Sequence, residues 1–381
     1  MQLTLAYYGH RAIKSYYIGG SEGGREGMIM AQKYPADFDG IVAIDPVIRL
    51  IGLWQFQLSF GQVQSTPGSW IGGKLQLVHD TVQTACDGLD GIQDRVVSNY
   101  KACKPLADAA LAAKRCPSGA DEGAACFSDA QLVTLRWTYG GQQYTFPLAN
   151  GITSYPGYLY GSEAVPGALE TWVTGTVAPT TDPDAVGASR SYSIGGTFVR
   201  YFVTRNPSFD PLAFSPTGYQ ARIQELSNAL DMTNPDLSAF HARGGKLILR
   251  ENLSDKGNSP QTGFDYYDAV VAKMGKDKVD QFFVAYGATG LPHTSTGLNA
   301  GTANAPAYGT PGQIDFLTLL DDWATSGVKP AESLTLTLRS PLKPYDLISS
   351  KPMCRYGSYP RYTGATPAGG NSASNYVCTA F

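Results

Sequence analysis

The chain has 381 residues, 29 basic and 32 acidic, for a net charge of −3. That balance gives no excess of positive charge with which to bind nucleic acid or an anionic membrane. No apolar run approaches the ~18 residues of a transmembrane helix. A chain of this length can bury a core without cross-links, yet it has six cysteines in three sequence-local pairs, which predicts disulfides and export. None of them has the C-x2-C spacing of a zinc site. The cysteines are Cys86, Cys103, Cys116, Cys126, Cys354 and Cys378.

The N-terminal part reads as the end of a helix followed by one βαβ unit. Residues 3–9 are helical, and they lack the basic start and the long apolar core of a signal peptide. Residues 15–18 are aromatic and β-branched, as in a strand. Residues 22–33 are predicted to form a helix, and the continuous apolar run 40–44 is typical of a buried parallel strand.

From about residue 47 to 235 the pattern changes. Two predicted helices, 74–85 and 128–137, precede a long Gly-, Tyr-, Pro- and Thr-rich stretch, 139–220, which reads as irregular. Because α/β order resumes afterwards, we interpret the whole segment as a large insertion into an α/β sheet.

The C-terminal part returns to alternating strands and helices. Its first helix is predicted to have Ser259 as N-cap and Pro260 at its first position. The tail, 340–381, is predicted to be irregular and held by the last two cysteines. The predicted elements are a strand at 244–249, a helix at 260–274, a strand at 281–285 and a helix at 312–326.

The sequence Gly19-Gly20-Ser21-Glu22-Gly23 lies between the first predicted strand and its helix. This is the G-x-S-x-G pattern in its strand-to-helix context, where small neighbours let the chain turn sharply and expose a serine hydroxyl. The pattern predicts Ser21 as a nucleophile and the backbone N–H of Glu22, at a helix N-terminus, as an oxyanion donor. The alternative is a glycine-rich turn with an ordinary N-cap serine.

A serine nucleophile needs a base, and the base needs an acid that orients it. The order serine, acid, histidine in α/β-hydrolases requires a base late in the chain. Of the four histidines, His293 meets that order, with a solvated loop histidine as the alternative. Asp255, just past the preceding predicted strand, fits the acid. Asp265 and Asp268 fall within the following helix, where solvated or capping charges are the ordinary interpretation.

These motifs resemble the tannase and feruloyl esterase family of α/β-hydrolases, which also includes hydrolases of small terephthalate esters. The resemblance covers essentially the whole chain and implies the triad Ser21, Asp255 and His293. It also implies an α/β-hydrolase core at 1–46 and 236–381, with a lid domain at 47–235. The matching segments are 7–19, Ser21 to Gly27, Tyr34 to Ala43, Gly244 to Leu249 with Asp255 and Pro260, and Pro352 to Tyr356.

The activity that the resemblance implies is the hydrolysis of esters of aromatic acids, such as ferulate or gallate, through an acyl-enzyme. One alternative is a terephthalate monoester hydrolase of the same family. Another is a catalytically weak homologue that binds aromatic ligands without turning them over. No organic cofactor is implied, the expected partner is a small aromatic ester, and no oligomeric state is predicted.

One departure from the family concerns the two positions that flank the serine and the histidine. The family usually has a cysteine immediately before the nucleophile and another immediately after the histidine, and these form a disulfide. Here the two positions hold Gly20 and Thr294. Because both cysteines are absent together, we predict a coherent variant with a looser Ser–His geometry, unless hydrogen bonding replaces the bridge.

An acidic loop lies in the insertion, with Asp87, Asp90 and Asp94 at i, i+3 and i+7. Such spacing can converge hard oxygens on Ca²⁺, although on spacing alone an acidic turn is the more ordinary interpretation. The resemblance favours a structural Ca²⁺ site in the lid, with the carbonyls of Ile92 and Val96 as further ligands. It also implies the disulfides Cys86–Cys103, Cys116–Cys126 and Cys354–Cys378.

The nucleophile lies unusually early in this chain. A second oxyanion donor in α/β-hydrolases comes from a loop upstream of the nucleophile, and only about 20 residues precede Ser21 here. We therefore expect that ~100–150 residues of the family's N-terminal part are missing. The absent signal peptide then fits a truncated start, and the expected location stays secreted or periplasmic.

Overall fold

The computed structural model describes residues 2–10 and 12–381. Its centre is a six-stranded sheet with strand order β1-β2-β5-β6-β10-β9, and three two-stranded sheets pair β11 with β12, β3 with β4 and β7 with β8. The strands are β1 (Tyr16–Gly20), β2 (Gly40–Ile44), β3 (Gln142–Gln143), β4 (Ser154–Tyr155), β5 (Lys246–Asn252), β6 (Phe283–Ala288), β7 (Gly297–Leu298), β8 (Thr310–Pro311), β9 (Ser333–Arg339), β10 (Leu347–Arg355), β11 (Ser358–Tyr362) and β12 (Tyr376–Ala380).

Four strands of the central sheet, β1, β2, β5 and β6, are parallel, and β10 is antiparallel to both β6 and β9. The carboxyl ends of the parallel strands therefore meet at one edge of the sheet, where ligands bind in open α/β folds. A mixed sheet with helices agrees with the α/β-hydrolase expectation.

Twelve α-helices accompany the strands in the described part of the chain. None of them combines the length and the apolar character that crossing a bilayer would require. The helices are α1 (Gln2–Tyr8), α2 (Glu22–Lys33), α3 (Leu50–Gln64), α4 (Leu75–Cys86), α5 (Tyr100–Ala113), α6 (Asp129–Gly140), α7 (Arg190–Thr197), α8 (Gln220–Leu230), α9 (Ser238–Ala242), α10 (Gln261–Met274), α11 (Lys276–Val279) and α12 (Phe316–Ser326).

Both faces of the central sheet are covered, which explains why its strands read as continuous apolar runs. Ile41 and Ala43 pack with α2 and α10 on one face, and Val42 packs with α12 on the other. Adjacent residues of β2 thus enter different cores, as the two-residue period of a strand requires.

The segment between β2 and β5 contains far more helix than the sequence pattern predicts. Besides the two expected helices, α3, α5, α7 and α8 lie within residues 47–235, and α7 interrupts the stretch that reads as irregular. The reason is clearest in α3, which is buried on nearly all sides and so has no amphipathic period to recognise. Its Phe56 and Phe60 belong to an apolar core of the insertion itself.

The prediction of an irregular tail at 340–381 is wrong. Strand β10 enters the central sheet between β6 and β9, and β11 pairs with β12 as a hairpin. The sequence pattern does not predict β10, because the strand contains Lys351 and Pro352, which are not typical of an inner strand. Its lysine is nevertheless buried.

All six cysteines are paired, as the resemblance implies. The disulfides join Cys86 to Cys103, Cys116 to Cys126 and Cys354 to Cys378. The first links α4 to α5, and the last links β10 to β12. The cross-links therefore hold both the insertion and the C-terminal part.

The boundaries of two helices differ from the prediction. Helix α10 begins at Gln261 with Pro260 at its cap, and the Ser259 hydroxyl donates instead to the carbonyl of Gly157. Helix α12 begins only at Phe316, because Gln313 forms a β-bridge with Thr337.

The packing of α7 against α3 gives a testable prediction. A Cβ on Gly195 would lie 2.6 Å from the Cα of Leu58, whereas a Cβ on Gly140 of α6 would have no atom within 4 Å. We expect Gly195→Ala to lower the free energy of unfolding by about 1–3 kcal/mol through overpacking. Gly140→Ala should leave it unchanged or raise it by up to about 1 kcal/mol through helix propensity. Urea unfolding of both variants measures the difference, and equal shifts would contradict the packing.

Candidate active site

Ser21 lies at the turn between β1 and α2 with φ 58° and ψ −118°, a conformation that is rare for a residue with a side chain. Two glycines of this turn have no room for a side chain: a Cβ on Gly19 would collide with the carbonyl of Gly23, and a Cβ on Gly24 would lie 2.8 Å from the Ile44 oxygen. The Ser21 side chain makes no capping hydrogen bond to α2. The Ser21 hydroxyl is therefore not used to cap α2, the helix that follows the turn.

Glu22 begins α2 directly after this turn. The N–H groups of a first helical turn have no acceptor within the helix, so the Glu22 N–H is available at the positive end of α2. Its carboxylate pairs with Arg25 on the surface, which leaves only the backbone of Glu22 beside Ser21.

The three residues that the sequence singles out as a triad lie in one hydrogen-bonded chain. The Oγ of Ser21 is 2.8 Å from Nε2 of His293, and Nδ1 of His293 is 2.6 Å from Oδ2 of Asp255. Asp255 follows β5 and His293 follows β6, so all three side chains come from the carboxyl edge of the sheet. Asp265 pairs instead with Arg49, and Asp268 accepts from Tyr356.

The carboxylate of Asp255 is fully buried, and its own loop provides donors for it. Oδ1 accepts the N–H groups of Gly257 at 2.6 Å and Asn258 at 3.0 Å, which leaves Oδ2 for His293. The His293 side chain is 11% exposed, unlike a solvated loop histidine. Burial alone would lower the pKa of His293, but the charge and hydrogen bond of Asp255, with the charge of Asp45, raise it to about 8.

Two residues of the insertion border this histidine, and the sequence did not single out either. The Trp172 ring meets the His293 ring edge-on at 5.0 Å between centroids, and exposed Arg190 lies over the Trp172 ring at 5.4 Å. Gly257 makes the approach possible, because a Cβ there would lie 2.8 Å from Trp172 and 2.9 Å from His293. Tryptophan and arginine in a loop-rich stretch give no sequence signal that separates a site wall from ordinary packing.

Asp45, also missed by the sequence reasoning, lies completely buried beside the triad. Burial, followed by the charge of Asp255, raises the pKa of Asp45 above its usual range. Among residues 2–10 and 12–381, Asp45, Asp255 and His293 are the one group of acidic, histidine or cysteine side chains whose ligand atoms lie within 4.8 Å of one another. An aspartate directly after a buried parallel strand was the available signal.

The positions that hold cysteines in the family do face each other. A Cβ on Gly20 would lie 3.4 Å from Cγ2 of Thr294. The predicted loosening is absent, because the Ser21–His293 distance is that of an ordinary hydrogen bond. A hydrogen bond holds Thr294, whose backbone N–H donates to Oδ2 of Asp45 at 2.9 Å.

The acidic loop of the insertion is buried but not drawn into a compact ligand group. Asp87 accepts the N–H groups of Asp94 and Arg95, and Asp94 accepts from Lys351 at 3.0 Å. The Oδ2 of Asp90 is buried without a hydrogen-bond partner. The three carboxylates face one buried lysine. The positive charge of that lysine cannot balance all of them, so the loop retains carboxylate oxygens that could act as ligands.

Comparisons with known proteins agree with this fold. A sequence model described as tannase and feruloyl esterase matches residues 1–379. An uncharacterized esterase of Agrobacterium fabrum is 31% identical over 371 residues, 95% of this chain and 63% of that protein. A probable feruloyl esterase of Arthroderma benhamiae is 31% identical over 386 residues, 99% of this chain and 65% of that protein. The crystal structure of an esterase from Aspergillus oryzae has a TM-score of 0.80 at 25% identity, covering 99% of this chain and 71% of that one.

The fold is therefore that of an α/β-hydrolase. Within that class, the chain belongs to the tannase and feruloyl esterase family. It spans a little under two thirds of the length of the two curated relatives.

The electrostatics of the histidine can be measured without any assay of activity. We expect the His293 ring to titrate near pH 8, and Asp255→Asn to lower its midpoint, because burial then remains without the carboxylate that outweighs it. NMR of the imidazole signals measures both midpoints. Asp265→Asn, which removes the partner of Arg49, is the matched control and should leave the midpoint in place. An unshifted midpoint in Asp255→Asn would count against the arrangement.

Proposed function

We propose that the protein is a carboxylic ester hydrolase that cleaves esters of aromatic acids, the activity that the name probable feruloyl esterase gives to the Arthroderma relative. The observation that supports the proposal is the Ser21–His293–Asp255 chain of hydrogen bonds at the carboxyl edge of the sheet. A hydroxyl within reach of an imidazole that a buried carboxylate orients is the arrangement of a serine hydrolase.

In this mechanism the Oγ of Ser21 attacks the ester carbonyl carbon while Nε2 of His293 takes the hydroxyl proton. The negative oxygen of the tetrahedral intermediate accepts from the Glu22 N–H. The intermediate collapses to the acyl-enzyme, and His293 returns the proton to the departing alcohol. Water then repeats the sequence and releases the acid, while Asp255 stabilises each imidazolium that forms.

The proposed substrate class is supported by the aromatic side chain that lies beside the histidine. Trp172 offers an apolar ring next to His293, and flat aromatic acyl groups such as ferulate or gallate stack favourably on such a surface. In this proposal residues 47–235 form a lid domain over a core of residues 1–46 and 236–381. Trp172 is the point where that lid contacts the triad.

A second candidate substrate, a terephthalate monoester, is favoured by Arg190. This guanidinium is exposed above Trp172 and has no ion pair within 4.0 Å among the described residues. An aromatic acyl group with a second carboxylate could pair with it, since guanidinium binds carboxylates in a planar, bidentate manner.

The test is hydrolysis of methyl ferulate, monomethyl terephthalate and p-nitrophenyl acetate by the protein and its Ser21→Ala variant. Loss of the nucleophile should lower kcat by at least about 10³-fold on every substrate that the protein cleaves. Ser65→Ala, at the exposed end of α3, is the control and should keep full activity. Equal rates for the protein and Ser21→Ala would defeat the proposal, and ferulate binding without turnover would establish the weak homologue instead. The preferred ester decides between the two substrate classes.

We also propose that the acidic loop binds a structural Ca²⁺ through the side chains of Asp87, Asp90 and Asp94 and the carbonyls of Ile92 and Val96. The donor chemistry supports this, since the unpartnered Oδ2 of Asp90 is a hard oxygen of the kind that Ca²⁺ selects. The ion would neutralise charge in the insertion and would take no part in the chemical step.

Chelation tests this site through stability alone. We expect EDTA to lower the melting temperature and added Ca²⁺ to restore it, because a ligand that binds only the folded state stabilises it. Asp90→Asn should remove the Ca²⁺ response, whereas Asp80→Asn, on the exposed face of α4, should keep it. The absence of any response in metal-free protein would reject the site.

The three disulfides support a further proposal about location. Disulfides persist in oxidising compartments, and all six cysteines are paired here. We therefore propose that the protein is secreted or periplasmic.

A further inference from the structure

We propose that Asp45 is a positioning residue that fastens the histidine loop to the serine turn through the hydrogen bonds of its buried carboxylate. The inference rests on the proposed esterase function for its kinetic consequences. Its structural part, which is that hydrogen bonds of Asp45 hold the two loops together, rests on contacts that do not depend on activity.

The two carboxylate oxygens of Asp45 hold two different segments. Oδ1 accepts the backbone N–H of Asn252 at 2.6 Å, at the end of β5, and Oδ2 accepts the N–H of Thr294 at 2.9 Å, next to His293. The N–H of Asp45 itself donates to the carbonyl of Arg250 at 2.8 Å. One side chain therefore fixes the ends of β2 and β5 and the histidine loop relative to one another.

Asp45 also adjoins the serine turn through its chain neighbour. The N–H of Ser21 donates to the carbonyl of Ile44 at 2.8 Å. Displacement of Asp45 thus reaches both partners of the Ser21–His293 hydrogen bond. Asp45 makes no hydrogen bond to the Ser21 hydroxyl or to the His293 ring. Its contacts with the chain on either side can nevertheless set the distance between these two groups.

Three residues at this point have backbone conformations that side chains disfavour. Ser21, Asp45 and Thr294 have φ angles of 58°, 45° and 50°. Such conformations are unfavourable and persist only where surrounding contacts enforce them. The Asp45 hydrogen bond to Thr294 is a contact of this kind, because it joins two of the three strained residues directly.

Other contacts hold the ends of the histidine loop but not the residue that follows the histidine. The side-chain amide of Asn252 donates to the carbonyl of Pro292 at 3.0 Å, and Arg250 donates to the carbonyl of Ser295 at 3.2 Å. Only Asp45 provides an acceptor for the Thr294 N–H among the described hydrogen bonds. Without it, that N–H loses this acceptor and the residue after His293 is free to shift.

The first experiment measures Asp45→Asn and Asp45→Ala at a pH above the His293 midpoint. We expect kcat to fall about 10–100-fold, as a small misplacement of catalytic groups costs, with KM within about threefold of the unaltered protein. Backbone amide exchange of residues 292–295 should accelerate in both variants. Asp231→Asn is the matched control, because Asp231 is equally a buried acceptor, bonded to Ile51 N–H and the Ser227 hydroxyl. It should lower stability and leave kcat and the exchange of this loop unchanged.

The decisive experiment places cysteines at Gly20 and Thr294 in the Asp45→Ala background. The two positions are adjacent, since a Cβ on Gly20 would lie 3.4 Å from Cγ2 of Thr294. The oxidised variant should recover most of the lost kcat and the slow exchange, and mild reduction should abolish the recovery. Asp45→Ala without the added cysteines, treated identically, corrects for reduction of the three native disulfides.

Each outcome decides the proposal. Unaltered kcat and exchange in both Asp45 variants would overturn it, as would a loss that the oxidised bridge fails to restore. If the unaltered protein hydrolyses no ester, the proposed function fails, and amide exchange with and without the bridge still decides whether Asp45 is the tether.

Discussion

A charged carboxylate without solvent needs hydrogen-bond donors, and the loops at the carboxyl edge of the sheet are shaped by that need. Asp255 obtains two donors from its own loop and one from His293, while Asp45 obtains two from the ends of other segments. Glu251 contrasts with them, because both of its oxygens are buried without partners. Burial, together with the charges of Asp45 and Asp255, raises the pKa of Glu251 well above its usual range. Burial also raises the pKa of Asp45, so the donors to Asp45 offset its burial only in part.

The loop of residues 255–258, which contains Asp255, also joins the central sheet to the insertion. Within residues 255–258, the first side chain contacts the histidine and the next three positions contact the insertion. Because these contacts lie on four consecutive residues, a shift of the insertion at this point would disturb Asp255. The contacts of the loop are Asp255 with His293, Lys256 with the carbonyls of Leu159 and Gly161, Gly257 beneath Trp172, and Asn258 with Tyr155 and Pro46.

The sequence predicts what depends on local pattern and misses what depends on distant partners. The βαβ unit and the Ser21 turn follow from apolar runs and glycines within 30 residues, and chain order then selects Asp255 and His293. Asp45 is different, because its importance appears only when Thr294 is brought beside it. Helix α3 is not predicted for a related reason. It is buried on nearly all sides, so its sequence has no amphipathic period by which a helix could be recognised.

The position of β10 determines the order in which the molecule can be completed. The strand lies between β6 and β9, and its Lys351 neutralises Asp94, which lies 257 residues earlier in the chain. As the chain leaves the ribosome, the acidic loop of the insertion is therefore made long before its lysine. Until the final residues emerge, the loop holds uncompensated charge and the sheet lacks an inner strand. The central sheet and the charge balance of the acidic loop therefore both depend on a strand that is synthesised long after the loop itself.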